Sequence, residues 1–92
     1  MNTKDAYKQK IEAELELVKA NLEVLSAKAD DTNLKYIKEI HAMQDEYVIV
    51  KSKIHELGKA SESTWEDLKI DTESARNSLS SNVKSAFAKL KE

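Results

Sequence analysis

One apolar helical face can be followed through nearly the whole chain at spacings of three and four residues. It runs Tyr7, Ile11, Leu15, Val18, Leu22, Leu25, Ala29, Asn33, Tyr36, Ile40, Met43, Tyr47, Val50, Ile54 and Leu57. It continues through Ser61, Trp65, Leu68, Thr72, Ala75, Leu79, Val83, Ala86 and Leu90. Only Asn33, Ser61 and Thr72 are polar, so the pattern is not a by-product of a Leu-rich composition. The mean step is about 3.6 residues, the pitch of a straight helix rather than the 3.5 of a sustained left-handed supercoil. An all-α chain of nearly straight, bundled helices follows, with short stretches of heptad packing.

A second, weaker track occupies another side of the first part: Ala13, Leu17, Ala20, Val24, Ala27 and Leu34, interrupted by Asp31. It alternates small and large residues at heptad spacing. A helix with a single neighbour has no use for a second stripe, so this helix is expected to touch two others, or a second chain.

The clearest break is Leu57–Ser63. Gly58 suits the left-handed residue after a helix end, and Ser63 with Glu66 has the form of a capping box. Between Glu62 and Glu73 the charges are mostly acidic, and from Arg76 to Lys91 they are all basic. That order complements the dipole of a helix over 63–91. Asp30-Asp31-Thr32-Asn33 is a weaker break: these residues are poor helix formers, and Asp31 or Thr32 could cap a new helix. Each costs only about 0.5–0.7 kcal/mol relative to Ala, and both tracks resume across the segment in phase. The expected architecture is therefore one helical domain, 1–92. It is an antiparallel coiled-coil hairpin with a long helix over 3–57, a turn at 58–62 and a helix over 63–91. The alternative, with a break at 30–33, is an up-down-up three-helix bundle. In the hairpin, 3–57 forms a rod of roughly 80 Å whose uncovered half needs an antiparallel second copy.

Composition narrows function more by exclusion than by assignment. A net charge of −2 and a pI near 5.7, with acids laced through every basic stretch, offer no footprint for nucleic acid. Without Cys there is no thiolate chemistry or disulfide. The longest apolar run, Tyr47 to Val50, is far below the ~20 residues of a membrane span, and the start lacks the apolar core of a signal peptide. A cytoplasmic address is the expectation. His41 and His55 lie on one side of a helix, but Lys38 and Ser52 stand where a di-iron bundle needs Glu. His41 with Asp45 supplies two metal ligands, short of a site. The carboxylates interleave with Lys, as in Glu12, Glu14, Glu16 and Lys19, and read as solvated faces rather than as pocket acids. No catalytic, cofactor-binding or metal-ligating residue is expected, and no small-molecule substrate.

Trp65, the only Trp, lies on the track beside the turn and reads as the anchor of the last helix. After Ser61 the chain becomes rich in Ser, Thr and Asn. Over 74–92, Leu79, Val83, Phe87 and Leu90 then oppose a Ser-rich face, the pattern of a helix that binds a membrane surface reversibly.

Trp65-Glu66-Asp67-Leu68-Lys69, with Glu73, Ala75, Ser78 and Leu79 beyond it, resembles a family of small bacterial coiled-coil stress-response proteins of the cyanobacterial type. Asp5-Ala6-Tyr7 and Lys28-Ala29-Asp30 extend the likeness. Members usually carry Gly where this chain has Asp71 and a second Trp where it has Arg76. The resemblance implies a bacterial cytoplasmic protein, an unbroken long helix and no catalytic residues.

The expected function is a non-enzymatic, self-associating coiled-coil scaffold or interaction protein, acting as a homodimer or with another protein, and the resemblance implies a stress-related role. Its packing and interaction residues are Leu17, Leu22, Val24, Leu25, Tyr36, Ile40, Tyr47, Ile54, Trp65 and Leu68. Reversible membrane-surface binding through 74–92 is the alternative.

Overall fold

The structure, a computed structural model, describes residues 3–29 and 33–90, without the side chain of Leu90. Among the described residues it is all-helical, a bundle of three helices and no strands: α1 (Thr3–Lys28), α2 (Leu34–Lys59) and α3 (Trp65–Leu90). Each helix has a basic residue in its last turn, and α1 and α3 have acids in their first, so the charge order complements the dipoles.

The continuous helix expected over 3–57 is not what the structure contains. Its α1 ends at Lys28, α2 begins at Leu34, and the longest dimension is 49 Å, against the roughly 80 Å of an unbroken rod. Asp30, Asp31 and Thr32 lie outside the described residues, so the expected caps at Asp31 or Thr32 fall there too. The residue seen capping α2 is Asn33, which stands on the sequence track as a polar lapse. Its backbone leaves the helical region (φ −95°, ψ 81°), and its side-chain oxygen accepts the Tyr36 N–H at 3.0 Å. Local propensity undervalues the break because the reward is tertiary. Beyond the cap Tyr36, Ile40 and Met43 are buried, at about 1.5–3 kcal/mol for a large apolar side chain.

The second connection also differs in detail. Gly58 is not a left-handed cap: no residue described has a positive φ, and α2 runs on to Lys59. Helix α3 starts at Trp65, two residues after Ser63. The Ser61 carbonyl accepts the N–H groups of Thr64 and Trp65 at 3.1 Å, and the Ser61 hydroxyl pairs with those of Ser63 and Thr64. What Gly58 does provide is room. A Cβ there would stand 3.0 Å from Lys8 Cε, the far end of a flexible side chain on α1. Lys8 can swing aside, so Gly58→Ala should stabilise by about 0.5–1 kcal/mol through helix propensity alone. Thermal melting checks it, with a rise of a few degrees expected.

The core is the sequence track. From α1 come Ile11, Leu15, Val18, Leu22 and Leu25, and from α2 Tyr36, Ile40, Met43, Val50, Ile54 and Leu57. Trp65, Thr72, Leu79, Val83 and Ala86 enter from α3. The three polar lapses have separate fates: Asn33 caps, Ser61 makes the turn, and Thr72 is buried at 1% exposure. All three helix pairs touch, α2 with α3 most extensively and α1 with α3 least.

Candidate functional site

The surface that α1 turns away from the bundle carries apolar side chains that folding leaves exposed, as do Val48, Ile49 and Ile70 elsewhere. At 100° per residue the track through Ala13, Leu17, Ala20, Val24 and Ala27 points roughly 200° from the buried stripe of the same helix. Leu17 is accordingly 68% exposed and Val24 41%, with all three alanines on the surface. Leu34, which continues the track, is exposed at the first position of α2. The small residues at heptad spacing leave room for another helix to approach closely. Of the expected packing residues, Leu22, Leu25, Tyr36, Ile40, Ile54 and Trp65 are buried. Tyr47 and Leu68 are half-buried at the edges of the core, and only Leu17 and Val24 face outward.

The residues expected to face lipid are placed otherwise. Leu79 and Val83 are buried at 0% and 3% exposure, and Phe87 is half-buried against the core. The side chain of Leu90 lies outside the described residues. Lipid contact through this face therefore requires α3 to leave the bundle. Among the described residues no helix is long and apolar enough to cross a membrane.

A row of polar pairs that the sequence reading missed joins α2 to α3. Lys89 Nζ donates to Glu39 at 2.8 Å, Asn82 Nδ2 to Glu46 at 3.0 Å, and Lys53 to Asp71. Glu39, Glu46 and Lys53 are seven residues apart, the rim spacing of a coiled-coil seam, so the signal was present in the sequence. Exposed pairs of this kind are worth little individually, and their effect is to fix register. The Tyr36 hydroxyl, buried, donates to the Ala86 carbonyl at 3.0 Å and ties the start of α2 to the end of α3.

At the other end of α3 a second cluster meets α1. The Tyr7 and Trp65 rings lie 6.3 Å apart, and Lys69 Nζ sits 5.1 Å above the Tyr7 ring and 5.9 Å from that of Trp65. Arg76 Nε stands 3.3 Å from Glu14 Oε2, near enough for an ion pair but not aligned as a hydrogen bond. The buried Tyr7 hydroxyl has no hydrogen-bond partner among the described residues. Burial raises the Tyr7 pKa first, with Glu73 and Glu14 adding to the rise and Arg76 opposing it. Burial likewise raises that of Tyr36, helped by Glu39 and opposed by Lys89.

The two tyrosines therefore answer differently to loss of the hydroxyl. Tyr7→Phe removes an unsatisfied polar group and should be neutral or slightly stabilising, whereas Tyr36→Phe strands the bond to Ala86 and should cost about 1 kcal/mol. Denaturant titration separates the two. Both pKa values lie above the unfolded value of 10.0, so each contribution is complete below pH 10. It is lost as pH rises through the folded value, so the part of the stability due to these two tyrosines should fall on the alkaline side.

His41 and His55 are both exposed. His55 lines an open groove between α1 and α2 with Lys8, Glu12, Glu16, Tyr47 and Lys51. Among the described residues, no three His, Cys, Asp or Glu side chains gather as a metal site would need. No family model, curated protein or solved structure matches the chain.

Proposed function

We propose that the chain is a non-enzymatic, self-associating helical scaffold. In this reading it is an up-down-up bundle of three helices that offers the outer face of α1 to a second copy. Three contacts support the arrangement. Lys4 Nζ donates to the Ala60 carbonyl at 2.8 Å, bringing the start of α1 to the end of α2. The Tyr36–Ala86 bond joins the start of α2 to the end of α3, and the Tyr7–Trp65 contact joins the starts of α1 and α3.

The observation that carries self-association is the exposed Leu17 and Val24 on a face that the bundle itself does not use. A stress-related role in a bacterial cytoplasm, which the resemblance around Trp65–Lys69 implies, belongs to the same reading. The test is sedimentation of wild type against the double variant Leu17→Asp, Val24→Asp. Both sites are exposed, so the variant should keep its helicity and melting temperature while its dimer dissociates. A wild type that stays at 10.4 kDa at every concentration sinks the reading.

A further inference from the structure

The alanines of α1 hold one line. Ala6, Ala13, Ala20 and Ala27 are the only alanines in the helix, stand seven residues apart, and are all exposed. Neither α2, with one alanine, nor α3, with three, has such a series. Leu17 and Val24 fall between them, also seven apart, and Lys10 precedes them in step. Solvation alone sets no seven-residue period. Lengthwise packing on another helix does, with Leu17 and Val24 as the large residues of the seam and the alanines as the small ones.

The rims of the stripe say which helix. On one side stand Gln9, Glu16 and Glu23, on the other Glu14, Asn21 and Lys28. In a parallel pair, each residue of the first rim meets the residue five further on in the other chain. Gln9 then meets Glu14, Glu16 meets Asn21 and Glu23 meets Lys28, so no like charges face each other. An antiparallel pair opposes the first rim with itself. Every antiparallel register that sets both Leu17 and Val24 on alanines of α1 also sets Glu16 or Glu23 against one of the same two acids of the second copy. Glu23 and Lys28 are exposed and form no ion pair among the described residues, which leaves both for a contact between copies.

We propose that two copies pair through α1 in parallel and in register. The occupant of the outer face is the same face of a second copy, Leu17 on Leu17 and Val24 on Val24. Two Glu23–Lys28 ion pairs, related by the two-fold axis, flank the seam. Lys10 meets its own copy toward the start of the helix, where the long side chain carries its charge out to water. The seam runs the 26 residues of α1, about 39 Å, and a strip about 10 Å wide on each copy buries roughly 800 Å² in total. That is below the ~1,200 Å² of a stable interface, so the pair is reversible. The inference rests on self-association through α1 and adds its direction and register.

Ala13→Cys and Ala27→Cys test it in a chain that has no other Cys. In the parallel pair each faces its own copy, so each variant alone should form a disulfide dimer under mild oxidation. In any of the antiparallel registers at least one of the two lies ten or more residues, roughly 15 Å, from its own copy. Sedimentation equilibrium at low salt gives the second reading, with circular dichroism confirming that each variant is folded. Glu23→Lys and Lys28→Glu should each weaken the dimer about tenfold, and the two together should restore it. Disulfides at both positions and restoration by the double swap support the parallel pair. Cross-linking at one position or neither, a double swap that stays weak, or a Glu23→Lys variant that dimerises more tightly overturns it while leaving self-association standing. A wild type that never dimerises overturns self-association as well.

Discussion

Ile40→Asp should leave a chain with little helicity at neutral pH. Ile40 is 2% exposed in the middle of α2 and belongs to the core shared by all three helices. The substitution removes about 3 kcal/mol of apolar burial and places a carboxylate in the hydrophobic core, at several kcal/mol more. A domain of this length has roughly 5–14 kcal/mol of total stability, so one residue can consume most of it. Far-ultraviolet circular dichroism gives the answer in one spectrum. Helicity and cooperative melting like those of wild type would mean that the assigned core face is wrong.

Trp65→Ala is the second large effect, and its cost should be about 3–5 kcal/mol. Trp65 is 4% exposed at the first turn of α3, where it meets the Tyr7 ring and the Lys69 ammonium. Losing it opens a cavity at the corner where α3 leaves the turn, and α1 with α3 is already the least extensive helix pair. Melting should fall by more than 10 °C, at 4–8 °C per kcal/mol for a domain of this size. The conservative Trp65→Phe should recover a large part of that loss. If Trp65→Ala melts within a degree or two of wild type, Trp65 is not the anchor of α3.

The core was readable in the sequence because burial in a helix leaves a periodic trace. Each apolar side chain that fills the bundle, from Ile11 to Ala86, stands three or four residues from the next. What that periodicity could not report is direction. A track that stays in phase through Asp30–Asn33 looks the same whether the helix continues or doubles back, since each helix needs only one buried face. One telling contact is local, Asn33 taking the Tyr36 N–H three residues on, and the other is tertiary, Lys4 reaching the Ala60 carbonyl fifty-six residues away. Gly58 was misread for a related reason. Glycine marks either a left-handed turn or a close approach, and only the position of Lys8 on another helix distinguishes them.

The candidate site was legible in outline. The second track at Leu17 and Val24 was visible as a stripe without a partner, and it is exposed. The Leu79–Phe87 face was ambiguous in sequence, because a bundle helix and a lipid-binding helix bury the same pattern of residues. Polar ties such as Arg76–Glu14 and Lys69 above the Tyr7 ring left no short-range signal, because the partners in each are more than fifty residues apart.

The central claim is that one apolar track folds back on itself within a single chain. A pair of spin labels tests it most directly, and the absence of Cys allows them to be placed without altering other residues. Labels at Lys4 and Lys59, in doubly labelled protein at low concentration and diluted with unlabelled chains, report the distance from the start of α1 to the end of α2. Because Lys4 Nζ reaches the Ala60 carbonyl at 2.8 Å, a distance under about 25 Å is expected once label length is included. A distribution centred near 80 Å at the lowest concentration would show a continuous helix in the isolated chain and contradict the account.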